Sequence, residues 1–265
     1  MEKCIIVPWD FTEMSGYALE HAYAIGKISK KVIYLIHVAA KASKVPELTQ
    51  QLEEIAKKFK EGKDIDIRVA VVTGNLYKAI YKFGLENNAY LGVMGTHGIK
   101  SLGKAMKVVK KFVRIPFILV QGPVIYGEYD RICIPLDANK KSRVAFNWVR
   151  YINNLFESKV YVLYPTVSDP YQIKTLNNNL LFAERIFEKD LIDYEMRRVD
   201  SGVHFSDAIY DYIRENECDL VLMMTKKYKE YITTLRKTEN KEMYKKIPVM
   251  CINIRTDIQK LGGFN

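Results

Sequence analysis

The chain contains itself twice, and this repeat constrains its fold more than any other feature. Val7-Pro8-Trp9-Asp10, followed by Ser15 and Ala18, returns 127 positions later as Ile134-Pro135-Leu136-Asp137, followed by Ser142 and Ala145. Val32-Ile33-Tyr34-Leu35 matches Val160-Tyr161-Val162-Leu163 at an offset of 128, as Gly74 matches Gly202. Ala79-Ile80 and Val93-Met94 match Ala208-Ile209 and Leu222-Met223 at 129, and Ile115-Pro116-Phe117-Ile118 matches Ile247-Pro248-Val249-Met250 at 132. An offset that drifts slowly while order is kept is what small loop insertions leave in a duplicated domain. The repeat predicts two domains, residues 1–122 and 128–265, joined by the Gly- and Pro-punctuated segment Gly122–Gly127.

Within each half, short β-branched runs alternate with longer helical patterns, which predicts βαβ units and a parallel sheet. In the first half the strands fall near Cys4–Trp9, Val32–Val38, Ile65–Val72, Tyr90–Met94 and Phe117–Val120. Helices are expected at Glu13–Ser29, Glu47–Lys60, Tyr77–Asn87 and Leu102–Arg114. The second half repeats the pattern, with strands near Ile132–Leu136, Val160–Tyr164, Tyr194–Val199, Leu220–Met224 and Val249–Ile254. Its last helix is expected over Tyr228–Tyr244. The fold class is α/β: two five-stranded parallel sheets with helices on both faces. Each closing strand would otherwise be an open edge, so the halves are expected to pack as an intrachain pseudo-dimer.

Composition narrows the function classes. At 265 residues, 48% hydrophobic and 27% charged, the chain is ordinary globular material and not a disordered one. No apolar run approaches the ~20 residues of a membrane span, so no membrane partner is expected. Met1-Glu-Lys-Cys-Ile-Ile-Val-Pro-Trp reads as a strand, not a signal peptide. Four cysteines do not make a disulfide scaffold, and a reducing, cytoplasmic location is expected. Charge is the one deviation: 41 Lys+Arg against 31 Asp+Glu give +10, which favours anionic partners.

Parallel sheets of this kind take ligands beyond the carboxyl ends of their strands, where strand order reverses. Two segments fall there. Pro8 and Asp10 end the first strand, just before Thr12, a fitting N-cap for the next helix. A carboxylate at that point can accept hydrogen bonds from a base or ribose; the plainer reading is that Asp10 and Asp137 terminate the strand and satisfy local amides. Gly95-Thr96-His97-Gly98 follows the fourth strand and precedes a helix. Glycines there let backbone amides approach a phosphate, with the helix dipole behind them and His97 as a donor; the plainer reading is a βα turn that needs glycine.

Together these residues resemble the universal stress protein family, in a tandem form with two such domains. The resemblance rests on Val7-Pro8-Trp9-Asp10-Phe11-Thr12-Glu13-Met14-Ser15-Gly16-Tyr17-Ala18, on Ile36-His37-Val38, on Gly74, on Met94-Gly95-Thr96-His97-Gly98 and on Ile115–Val120. It covers nearly all of residues 1–122 and, more faintly, 130–254. It implies Rossmann-like domains of the adenine-nucleotide alpha hydrolase type, pairing of domains through their fifth strands and, in one subclass, ATP binding by Pro8, Asp10, Gly95, Thr96, His97 and Gly98. The ATP-binding members carry Gly-x-x-Gly, nine residues, then Gly followed by Ser or Thr. Here Val108 and Val109 stand in that last place, and Met224-Thr225-Lys226-Lys227 replaces Gly-Thr-His-Gly in the second half. The expectation is that ATP binds the first half weakly or not at all and the second half not at all, and that Gly and Ser at 108 and 109 would strengthen it.

Lys100, Lys104, Lys107, Lys111 and Arg114 step by four and three along the fourth helix, so they share one face, opposite Ala105, Val108, Val109 and Phe112. That face is either a solvated helix surface or an anion-binding one. His21, His37, His97 and His204 have no companions at metal-ligand spacing. No Gly-x-Ser-x-Gly elbow, Walker loop or Cys-x-x-Cys pair is present. No enzyme is expected. The leading reading is a non-catalytic stress-response protein acting through protein partners or self-association; the alternatives are an ATP or AMP sensor in the first half and a polyanion or nucleic-acid binder using the basic helices.

Overall fold

The computed structural model describes residues 2–97, 99–112, 115–123, 129–235 and 247–253, with backbone alone at 99–102 and 232–235. The chain divides into two compact units, Met1–Val124 and Ile125–Asn265. In the first unit the elements run β1 Cys4–Pro8, α1 Glu13–Ser29, β2 Val32–Ala39, α2 Val45–Lys60, β3 Ile67–Thr73, α3 Leu76–Glu86, β4 Ala89–Gly95, α4 Ile99–Lys111 and β5 Phe117–Val120. In the second they run β6 Arg131–Pro135, α5 Val144–Phe156, β7 Lys159–Pro165, α6 Pro170–Lys189, β8 Tyr194–Val199, α7 Phe205–Glu215, β9 Leu220–Met224, α8 Thr225–Leu235 and β10 Val249–Ile252.

The strand order is β3-β2-β1-β4-β5 in the first unit and, read from its own third strand, β8-β7-β6-β9-β10 in the second. The recorded pairs within each unit are parallel. Right-handed crossovers that run outward in both directions from the first strand place helices on both faces. The repeat is therefore structural as well as textual. Gly74 and Gly202 both take left-handed backbone, with φ of 115° and 98°, shortly before α3 and α7. Trp9 N donates to Ile36 O and Leu136 N to Leu163 O, each at 2.8 Å, continuing the first strand past its proline in both units.

Burial explains why these strands read as continuous apolar runs: all five residues of β1 and all five of β9 are buried. The four cysteines are free and buried, and desolvation pushes the Cys4 thiol up to about 11. Two helices begin about a turn earlier than their sequence pattern suggests. The α4 helix starts at Ile99 and not at Leu102, and α8 starts at Thr225 and not at Tyr228. The expected continuations of α8 to Tyr244 and of β10 to Ile254 lie outside the described residues.

Glycine in β4 serves packing. A Cβ on Gly92 would lie 2.3 Å from the ring of Phe117, which is fully buried and pairs with Gly92 across the ladder. Gly103, in contrast, has nothing within 4 Å of such a Cβ. Urea unfolding should therefore find Gly92→Ala destabilised by about 1–3 kcal/mol through overpacking. Gly103→Ala should gain up to about 1 kcal/mol from helix propensity.

Candidate functional site

Strand order reverses between β1 and β4, and the ends of these two strands bring Asp10 and His97 together. Asp10 follows the buried β1 and accepts at Oδ1 from Ser15 Oγ (2.6 Å), Thr12 Oγ1 (2.6 Å) and Thr12 N (3.1 Å). His97 Nε2 lies 3.0 Å from Asp10 Oδ2 and 3.2 Å from Thr12 Oγ1. Ser15 Oγ also accepts from the Asp10 amide at 3.0 Å. Burial raises the Asp10 carboxyl, but the bonds from Ser15, Thr12, His97 and the Thr12 amide outweigh it and hold the group down at about 2. Thr12 is the N-cap of α1, as expected, yet its hydroxyl makes no capping bond; it is turned to Asp10 instead.

This cluster does not form a nucleophilic relay. A relay needs the base's two ring nitrogens divided between nucleophile and acid. Here one nitrogen of His97 faces both Thr12 and Asp10, and the hydroxyl bonds the carboxylate directly.

The backbone around the cluster is fixed by packing. Phe11 has φ of 61°, a strained conformation for a bulky residue, and its ring meets His37 edge-on at 4.9 Å. His37 Nδ1 donates to Trp9 O at 2.8 Å. Pro8 is the buried last residue of β1. Gly95 belongs to β4 and not to a loop, and a Cβ there would lie 2.3 Å from Met14 O. Its absence lets the first turn of α1 press on the strand. The Thr96 amide and hydroxyl both donate to Val120 O, at 2.8 and 3.3 Å. Among the described residues of the motif, His97 alone reaches Asp10; Gly98 lies outside the described residues.

The nine residues after Gly98 begin in α4, and Val108 and Val109 are fully buried in that helix. The sequence places them on the apolar face of the fourth helix, and the structure buries them there. Gly and Ser there would remove buried side-chain volume and cost stability. Lys104, Lys107, Lys110 and Lys111 are exposed, opposite the buried Ala105, Met106, Val108, Val109 and Phe112. Lys107 Nζ sits 5.4 Å from the Tyr77 ring centre. Lys100 lies on α4 without a described side chain, and Arg114 is outside the described residues.

The second unit repeats the aspartate–serine bond, with Ser142 Oγ donating to Asp137 Oδ1 at 2.5 Å. It fills the surrounding space differently. Asn179 of α6, fully buried, donates to Asp137 O and Asn139 O at 3.1 and 3.0 Å and accepts from Arg143 Nε at 2.8 Å. Here β9 ends at Met224 and α8 starts at Thr225 with no residue between them, whereas Thr96, His97 and Gly98 separate β4 from α4. Sequence reading missed Ser15, Ser142 and Asn179 as site residues. The serines carried a signal, since they recur at the same distance from the two aspartates; Asn179 carried none.

A parallel sheet of order 3-2-1-4-5 with an acid at its switch point defines a Rossmann-like α/β domain. Residues 1–112 match the model of the Universal stress protein family. The first unit belongs to the universal stress protein family, and the second repeats its fold. A universal stress protein from Archaeoglobus fulgidus DSM 4304 superposes with a TM-score of 0.73 at 15% identity, covering 95% of this chain and 98% of that one. A functionally unknown protein from Pseudomonas aeruginosa PAO1 gives 0.60 at 9% identity, over 96% and 93%. The cytoplasmic domain of a prokaryotic cation chloride cotransporter gives 0.59 at 10% identity, over 99% and 100%. No curated protein matches the chain. Among the described residues no helix is long and apolar enough to cross a membrane, and no group of His, Cys, Asp or Glu has the placement of a metal site.

The depressed Asp10 carboxyl has a pH signature. A carboxyl at about 2 in the folded chain against 3.8 unfolded contributes stability that is full above about pH 4 and lost as pH falls through about 2. Carboxyl carbon NMR should show Asp10 titrating near 2, and Ser15→Ala should move that titration upward. An unmoved titration would mean the hydroxyl does not hold the charge.

Proposed function

We propose that this is a stress-response binding protein that works without catalysis and binds ATP weakly or not at all. The observation that carries the reading is the crowded hydrogen-bond set on Asp10: Ser15 and Thr12 on Oδ1 and His97 on Oδ2 compete with a ribose or base for the carboxylate. The Thr96 amide, spent on Val120 O, and the zero-length β9–α8 connection support it further. A charge-assisted hydrogen bond is worth about 1.5–3 kcal/mol, so the loss of one or two weakens triphosphate binding by at least about tenfold. A thermal melt with about 1 mM ATP should rise by less than ~2 °C, the shift given by a ligand present at its own Kd. Stoichiometric ATP in the purified protein would overturn the reading in favour of a nucleotide sensor in the first unit.

A second reading, a polyanion-binding surface, is favoured by the exposed lysines of α4. Under it, reversing Lys104, Lys107 and Lys111 to Glu abolishes heparin retention at low salt and changes stability by under about 0.5 kcal/mol. Retention that survives the reversal would return these lysines to ordinary solvation. The protein is proposed to act in the cytoplasm.

A further inference from the structure

The third strand of each unit stands at the end of its sheet order, and the two are built differently. β8, Tyr194-Glu195-Met196-Arg197-Arg198-Val199, carries three charges in six residues. Arg197 is paired to Glu215 at 2.8 Å and lies over the Tyr212 ring. Charges of this kind keep an open edge from pairing with another chain. β3, Ile67-Arg68-Val69-Ala70-Val71-Val72-Thr73, has one charge, no proline and an unbroken register against β2 from Ile67 to Thr73. From Val69 to Thr73 nothing in it discourages an incoming strand.

The parallel ladder shows which backbone groups face outward. Ile33, the partner of Ile67, donates its N–H to Asp66 O at 2.9 Å, so residues 66, 68, 70 and 72 turn their polar groups toward β2. Val69 and Val71 turn theirs away from it, and no hydrogen bond of the described residues engages them there. Both side chains are only part-buried. Beside this edge lies an open groove of about 440 Å³ between α2 and β3, lined by Ala56, Lys57, Lys60, Ile67, Arg68 and Val69. Arg68 is neutralised by Asp66 at 2.7 Å. Lys57 and Lys60 have no ion pair among the described residues, and Glu53 is the one acid lining the groove.

We propose that β3 receives an extended acidic segment of a partner protein as an added strand, its carboxylates paired to Lys57 and Lys60 across the groove. The backbone of Val69 and Val71 supplies the pairing, and the lysines select the sign of the side chains that point toward α2. A second copy of this chain fits less well, because its own β3 would bring the same lysines to the same seam. The proposal concerns a surface remote from Asp10 in the fold's layout, and the ATP melt does not bear on it.

The probe is a fluorescein-labelled peptide, acetyl-Glu-Val-Glu-Val-Glu-Val-Glu, titrated with the full chain at low salt. Saturable binding is expected, with the Lys-for-Glu peptide at least about tenfold weaker, a factor that two exposed ion pairs can supply. Lys57→Glu with Lys60→Glu should reverse the preference; because both lie in the basic last turn of α2, Lys57→Gln with Lys60→Gln, which should remove the preference without reversing it, is measured alongside. N-methylating alternate amides of the probe should abolish binding in one phase and spare it in the other, which tests strand pairing without altering the protein. Equal binding of both N-methylated probes, no binding of the acidic peptide, or a concentration-dependent dimer that the probe cannot displace would each overturn the proposal.

Discussion

In both units a serine hydroxyl donates to the aspartate five residues before it, and this short bond closes the passage from the first strand to the first helix. Asp10–Ser15 and Asp137–Ser142 close the turn that leaves the first strand. The first strand is central in each sheet, so the turn decides how α1 and α5 enter their layers and what surface is left at the switch point. A carboxylate used to close a turn has fewer lone pairs for a ligand. The aspartate holds this turn in both units, and in the first unit its second oxygen also meets His97.

Much of the fold was legible because strand burial and helical periodicity are local signals. Glu13–Ser29, Tyr194–Val199 and Leu220–Met224 are where the pattern puts them. The starts of α4 and α8 were not, because a glycine-containing or lysine-rich turn and a first helical turn share residue types, and the lysine stripe has the same period wherever the helix begins. The site was half legible. Asp10 and His97 sit at strand ends and could be placed by topology, but Gly95 reads as a loop glycine when its role is close contact with Met14 O. Asn179 reaches Asp137 and Asn139 from a distant helix, and a lone asparagine in a helical pattern announces nothing.

The two units have diverged by different physical routes. The first keeps a polar cluster at its switch point, held by hydrogen bonds between side chains. The second keeps the aspartate–serine bond and plugs the rest with Asn179 and Arg143, whose guanidinium also lies over the Phe182 ring. Their third strands diverge as well, one bearing charge along its length and the other nearly bare. A duplicated fold has thus given the chain two scaffolds with unlike surfaces.

The junction of Met224 and Thr225 has a further consequence. Substitution changes side chains one at a time, so a missing hydroxyl or a missing glycine can return by a single codon change. The place where a helix starts is set by several residues together. The four positions that answer Gly95 to Gly98 are present as Met224 to Lys227, but Thr225 to Lys227 already lie in α8. An open turn there needs enough replacements to unwind the first turn of a helix that leaves a strand whose every residue is buried. For the second unit, reversion takes several coordinated changes and not one.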